Sequence, residues 1–163
     1  MTIGVLFVCT ANICRSPTAE GVFRTLVKRA GLEAAFAIAS AGTSSVHAGS
    51  PPSPAAVEAA ARRGYDISGH QAHVVTKEEI AKADYVLAMD RGHMADLRWI
   101  APRDGVDRLQ MFTKFGPMPT ILDVQDPYGG TRQDYERALD LIEAGCKGLL
   151  KALTPEAQAA LAK

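Results

Sequence analysis

Ile3-Gly4-Val5-Leu6-Phe7-Val8 is an unbroken apolar run that stops at a polar turn. A strand with one wet face alternates polar and apolar residues. A run without alternation marks a strand buried on both faces, as at the centre of a parallel sheet. Parallel strands need crossover connections, and the rest of the chain supplies them. Ser16-Pro17 offers an N-cap and a proline at the first helical position. Ala19, Val22, Phe23, Leu26, Val27 and Ala30 then recur at helical spacing until Gly31. Phe36 to Ala41 reads as a second strand, and Ala55 to Arg63, stopped by Gly64, as a second helix. Between them lies a Gly-, Ser- and Pro-rich loop, Gly42 to Pro54.

A short helix near Thr76 to Ala83, a strand over Tyr85 to Met89, a helix over Gly92 to Ile100 and a strand near Val106 to Phe112 continue the alternation. After a long loop, 113 to 130, a last helix is predicted over Arg132 to Leu153, with Thr154-Pro155 ending it. This pattern predicts an α/β fold, an open parallel sheet of about four strands with helices on both faces. At 163 residues the chain fits one domain. Ligands of such sheets bind at the C-terminal ends of the strands, so chemistry is expected at the turn leaving the first strand.

That turn is Cys9-Thr10-Ala11-Asn12-Ile13-Cys14-Arg15-Ser16. A loop of this length between strand and helix can curl so that the backbone N–H groups of Thr10, Ala11, Asn12, Ile13 and Cys14 face one tetrahedral anion, with the positive end of the helix behind them. Arg15 closes the cradle with a planar fork that meets two phosphate oxygens. The electropositive nest favours the thiolate of Cys9, which makes it a nucleophile toward phosphorus and predicts a cysteinyl-phosphate intermediate. Ser16 is placed to donate a hydrogen bond to that sulfur, and Asn12 suits a left-handed position in the curl. The remaining need is an acid for the leaving oxygen. Asp126-Pro127-Tyr128-Gly129-Gly130 supplies a candidate: proline holds Asp126 extended, and Tyr128 can flank an aromatic leaving group.

Composition excludes other classes. The 18 basic and 18 acidic residues cancel, so no overall field draws the chain to nucleic acid or an anionic membrane. The N-terminal apolar run is too short to span a bilayer and has no basic leader or cleavage site, which predicts a cytoplasmic location. Three cysteines make no disulfide framework, and His47, His73 and His93 have no partners at metal-ligand spacing, so they read as rim or surface residues. No metal or cofactor is expected.

The segment Val8 to Glu20, with Ser40-Ala41-Gly42-Thr43, Gly69-His70, Ala83 to Met89 and Asp126-Pro127-Tyr128, resembles the low-molecular-weight protein tyrosine phosphatase family. The resemblance covers nearly the whole chain. It implies a four-stranded parallel sheet, a metal-free phosphatase acting on phosphotyrosine in proteins or on aryl phosphates, and the roles given above to Cys9, Arg15 and Asp126. It also implies that Asn12, Ser16, Ser40 and His70 form the network that fixes the loop. A monomer is the default. Two positions depart from the family. Ala11 stands where glycine is usual, at a cost of about 1–2 kcal/mol if the position needs positive φ. Val46 and His47 occupy the rim position where an aromatic is common, which weakens the case for ring stacking.

Relatives acting on phosphoarginine carry threonine where this chain has Ile13, which favours tyrosine over the protein-arginine phosphatase alternative. A thioredoxin-coupled arsenate reductase shares the cradle but needs two further cysteines. Residues 76 to 100 hold none, and Cys146 lies on the apolar stripe of the last helix. A non-catalytic phosphate-binding module would not need Cys9, Arg15 and Asp126 together. Cys14, a second thiol close to the expected nucleophile, suits a reversible disulfide with Cys9.

Overall fold

The computed structural model describes residues 1–163. Four parallel strands, β1 (Ile3–Cys9), β2 (Phe36–Gly42), β3 (Tyr85–Ala88) and β4 (Leu109–Met111), form one sheet in the order β2-β1-β3-β4. The apolar run is thus a central strand, as its lack of alternation predicts. Its side chains divide between two cores. Ile3, Val5, Phe7 and Cys9 face α1 (Arg15–Arg29), α2 (Pro54–Arg62) and α5 (Arg132–Leu161). Leu6 and Val8 face α3 (Lys77–Lys82) and α4 (Arg91–Ile100). Phe7, wholly buried, meets Phe23 and Phe112 edge to face at 5.9 Å between ring centres. Such pairs add about 0.5–1.5 kcal/mol each to the gain from burial itself.

Three expectations about element ends are corrected. Helix α1 starts at Arg15, with Cys14 at the cap and no side-chain cap bond. Ser16 is therefore inside the helix, and its hydroxyl is spent on the loop instead. The strand expected from Val106 shrinks to Leu109–Met111. Arg103–Arg108 coils as a 3₁₀ turn, pinned by Arg108 Nη1 donating to the Ala83 carbonyl at 2.8 Å. Phe112 leaves the strand to bury its ring on Phe7. The last helix does not stop at Thr154-Pro155 but runs on to Leu161. An interior proline costs about 3 kcal/mol. Here Leu153 and Ala157 on either side of it are buried in the core, and Glu156 accepts from the Tyr85 hydroxyl at 3.0 Å, which outweighs the lost bond. No helix is long and apolar enough to cross a membrane.

Helix α5 lies close to the 3₁₀ turn Phe112–Phe115 because two of its residues lack side chains. A methyl group on Gly145 would run into the Phe112 ring, and one on Gly148 into the Phe115 carbonyl oxygen. Alanine is the better helix former by about 1 kcal/mol, yet Gly148→Ala should lower stability by about 1–3 kcal/mol through this backbone clash. Urea denaturation measures the difference. A neutral or stabilised variant would contradict the close approach.

Candidate active site

Cys9 ends β1 at the C-terminal edge of the sheet, and Arg15 begins α1. The loop between them spends its carbonyls on neighbouring segments. Cys9 O accepts from Thr43 N at 3.0 Å, Thr10 O from Ser44 N at 2.9 Å and Ile13 O from Ser53 N at 2.8 Å. Cys14 O takes Thr18 N at 3.2 Å and the Thr18 hydroxyl at 2.6 Å. None of the N–H groups from Thr10 to Cys14 donates to another protein group. A run of unspent amides at the start of a long helix is an anion nest. Asn12 has φ of 59°, the one non-glycine residue in the left-handed region. Ala11 does not, so alanine there carries no strain. Gly42 at the end of β2 lets the loop lie close: a Cβ would sit 2.6 Å from Thr10 O and 3.1 Å from Asn12 N.

The curl is held from behind by the side chain of Asn12, which is fully buried and has each of its polar positions filled. Its amide nitrogen donates to Ser16 Oγ at 2.8 Å and Ser40 Oγ at 3.0 Å. Its oxygen accepts from His73 N at 3.1 Å and His70 Nε2 at 2.8 Å. Ser40 in turn donates to Glu20 Oε1 at 2.7 Å. Burial pushes the pKa of His70 down, so the ring is neutral at neutral pH, with its proton on the nitrogen facing Asn12. The left-handed residue is thus locked by groups from α1, β2 and the 70–73 segment.

Cys9 is 2 % exposed, and its Sγ lies 2.9 Å from Ser16 Oγ. Cys14 points away, to Ser53 Oγ at 3.3 Å and Tyr135 OH at 3.8 Å. Burial raises its pKa. All three cysteines are free thiols. Cys146 is sealed in the core against the Ala19 carbonyl.

Arg15 is buried, with 3 % of its side chain exposed. Nη1 donates to Asp90 Oδ2 and to Val124 O, each at 2.9 Å. Nη2 lies 3.3 Å from Thr10 Oγ1 and 3.6 Å from Asp126 Oδ2. Nε is buried without a protein partner. The protein therefore holds Nη1 by two acceptors and Nη2 by one, and leaves Nε–H and the second Nη2 hydrogen as a fork for an oxyanion.

Asp90 caps α4 by accepting from His93 N at 2.9 Å. Burial would raise its pKa, but the His93 amide and Arg15 outweigh burial and hold it below the ordinary value. Val124 anchors the segment that carries Asp126, since its N–H bonds Met89 O at 2.8 Å at the end of β3. Asp126 turns back to accept from Tyr128 N at 3.1 Å and stays half exposed. Tyr128 stands at the rim with His47, ring centres 5.9 Å apart, while Val46 is exposed beside them.

The structure brings Cys9, Thr10, Arg15, Ser16 and Asp126 to one end of the sheet, and Ser40, His70 and Asn12 beneath the loop. One expectation about histidines is corrected. His93 is not a surface residue: it is 3 % exposed, with Nε2 2.7 Å from Thr10 Oγ1. His73 does lie at the surface, paired with Glu79 at 2.5 Å. Asp90, Val124 and Glu20 were not singled out from the sequence as site residues. Asp90 did carry a signal, a lone carboxylate directly after an apolar strand and before a helix, at the sheet edge where ligands bind. No cluster of three or more His, Cys, Asp or Glu side chains converges as a metal site requires.

Residues 4–159 match the family model described as low molecular weight phosphotyrosine protein phosphatase. The low molecular weight protein-tyrosine-phosphatase of Streptomyces coelicolor is 39% identical over 162 residues, covering 97% of this chain and 98% of its own length. The YfkJ protein of Bacillus subtilis, of the same description, is 35% identical over 156 residues, covering 96% of this chain and 99% of its own. Its crystal structure superposes with a TM-score of 0.88, covering 96% of this chain and 97% of that one. A protein tyrosine phosphatase of Entamoeba histolytica, crystallised with Hepes in its active site, reaches 0.91 at 28% identity, covering 95% and 99%. With a matching model over nearly its full length, relatives matched end to end and solved structures that superpose over nearly the whole chain, this chain belongs to the low-molecular-weight phosphotyrosine protein phosphatase family.

Proposed function

We propose that this protein hydrolyses phosphotyrosine in proteins through a cysteinyl-phosphate intermediate, with Cys9 as nucleophile, Arg15 as phosphate clamp and Asp126 as general acid. The observation that carries this reading is the pairing of unspent loop amides with the unpartnered Nε of Arg15, on the loop that Cys9 opens and Arg15 closes. Two phosphoryl oxygens meet the guanidinium fork and the third meets the amides, which leaves phosphorus open to Sγ.

Ser16 Oγ accepts from Asn12, and its single proton faces both the Ala41 carbonyl at 3.3 Å and the Cys9 sulfur at 2.9 Å; given to the sulfur, it supports the nucleophile. In the first step the S–P bond forms and the P–O bond to the leaving group breaks, and the departing oxygen takes the proton of the Asp126 carboxyl. In the second, water attacks phosphorus, its proton passes to the Asp126 carboxylate, and the S–P bond breaks to release phosphate. Splitting one displacement into two gives each a good nucleophile or a good leaving group.

The rim supports an aromatic substrate. His47 and Tyr128 present two rings at the mouth, replacing by a tilted pair the single aromatic that Val46 does not provide. Ile13, with its side chain buried, supports tyrosine over phosphoarginine, and the burial of Cys146 supports hydrolysis over a cysteine relay. The relatives matched are named as tyrosine phosphatases. Free thiols suit a reducing compartment, so a cytoplasmic enzyme acting as a monomer, without nucleic acid, membrane or cofactor, completes the reading.

On peptides carrying phosphotyrosine, phosphoserine or phosphoarginine, kcat/KM should be highest for phosphotyrosine by at least about 100-fold, and EDTA should leave the rate unchanged. Preference for phosphoarginine would move the protein to the rival class. Asp126→Ala should slow an aryl phosphate with a basic leaving group about 100- to 10,000-fold and an activated one far less. Equal slowing of both would remove Asp126 from the acid role.

A further inference from the structure

Thr10 Oγ1 lies 2.7 Å from His93 Nε2 and 3.3 Å from Arg15 Nη2. A guanidinium nitrogen only donates, so the Thr10 oxygen accepts from Arg15; with Nη2 also 3.5 Å from His93 Nε2 and the Asp90 carboxylate facing Nδ1, Nε2 is the accepting nitrogen and takes the Thr10 O–H. His93 Nε2 then presents a lone pair, and the proton of the neutral ring sits on Nδ1. Nδ1 is 3.1 Å from Asp90 Oδ1, a contact too misaligned for a hydrogen bond but well placed for charge attraction. The other Asp90 oxygen takes Arg15 Nη1 at 2.9 Å. The chain of contacts from Arg15 through Asp90, His93 and Thr10 returns to Arg15 on its second terminal nitrogen.

We infer that His93 is a positioning residue of this site: its Nδ1–H tautomer orients the Thr10 hydroxyl, and Thr10 with Asp90 then sets the plane of the Arg15 fork. The inference rests on the proposal that the cradle binds phosphate, and adds to it a residue that touches no substrate. Nη2 carries two hydrogens, so its bond to Thr10 leaves one for a phosphoryl oxygen beside Nε–H. A charged imidazolium would defeat the arrangement. Nε2 would become a donor that Thr10 cannot donate to, and a second cation would stand 3.5 Å from Arg15 Nη2. Burial, then the charge of Arg15, push the His93 pKa down to about 4, so the ring stays neutral through the neutral range.

Two measurements test this. In nitrogen NMR of histidine-labelled wild-type protein at neutral pH, the His93 ring should show a protonated Nδ1 and a bare Nε2. An Nε2–H tautomer or a charged ring would overturn the inference without touching the phosphatase reading. Inorganic phosphate should compete with an aryl phosphate substrate in the wild type, and failure to do so would count against the phosphate cradle itself. His93→Leu and Thr10→Val should each raise the phosphate inhibition constant roughly 3- to 10-fold, the worth of one hydrogen bond to a charged group's partner. The double variant should be no worse than either single one, because all act through one contact. An unchanged inhibition constant with only kcat or Tm reduced, or factors that multiply in the double variant, would show a merely structural histidine.

Discussion

The guanidinium of Arg15 carries a permanent charge into a position almost closed to water. Taking such an ion out of water costs several kcal/mol unless charge and hydrogen bonds replace the lost solvent. Asp90 and the Val124 carbonyl provide that replacement on one side and thereby fix where three elements meet: the end of β3, the cap of α4 and the segment leading to Asp126. The opposite edge is left for a ligand. An arginine satisfied on all sides would be structural, and one held on no side would be mobile. Half satisfaction is what the proposed clamp requires.

The same division recurs in the loop. The carbonyls of Cys9, Thr10, Ile13 and Cys14 are taken by the 43–44 and 53 segments and by α1, while the amides from Thr10 to Cys14 are not. Such an arrangement is unfavourable for the chain by itself wherever the donor is closed to water, since an unspent buried donor costs about 1–3 kcal/mol. The strain at Asn12 adds to it. What holds the loop is the fully satisfied Asn12 amide and the bare Gly42, which allows the backbone to approach. Stability is surrendered at the site and recovered from a two-sided core around Phe7 and Leu6.

The central strand and the cradle were legible because their signals are contiguous. Six apolar residues, then a cysteine, a polar loop, an arginine and a helix start place strand, turn and helix in one short stretch. Asp126 was legible through proline and glycine, which restrict local backbone. Asp90, His93 and Glu20 were not, because their importance arises only when parallel strand order brings β3 beside β1 and folds α1 against β2. His93 was misread for that reason: in sequence it looks like one polar residue on an amphipathic helix. Pro155 misled in the opposite direction, since the local rule that ends helices at proline was overridden by burial of Leu153 and Ala157. The shortened β4 reflects the same competition, with Phe112 drawn out of the strand into the core.

The claim on which these relations converge is that phosphorus is transferred to the sulfur held beneath the amides and the guanidinium. Turnover of a ³²P-labelled, activated aryl phosphate by the Asp126→Ala variant, quenched in denaturant and mapped by peptide, tests it most directly, because water attack on the intermediate is then slow while its formation is not. The label should sit on the peptide bearing Cys9 and be missing when Cys9 is also replaced by serine. Label on any other residue, or undiminished turnover in the Cys9→Ser protein, would contradict it.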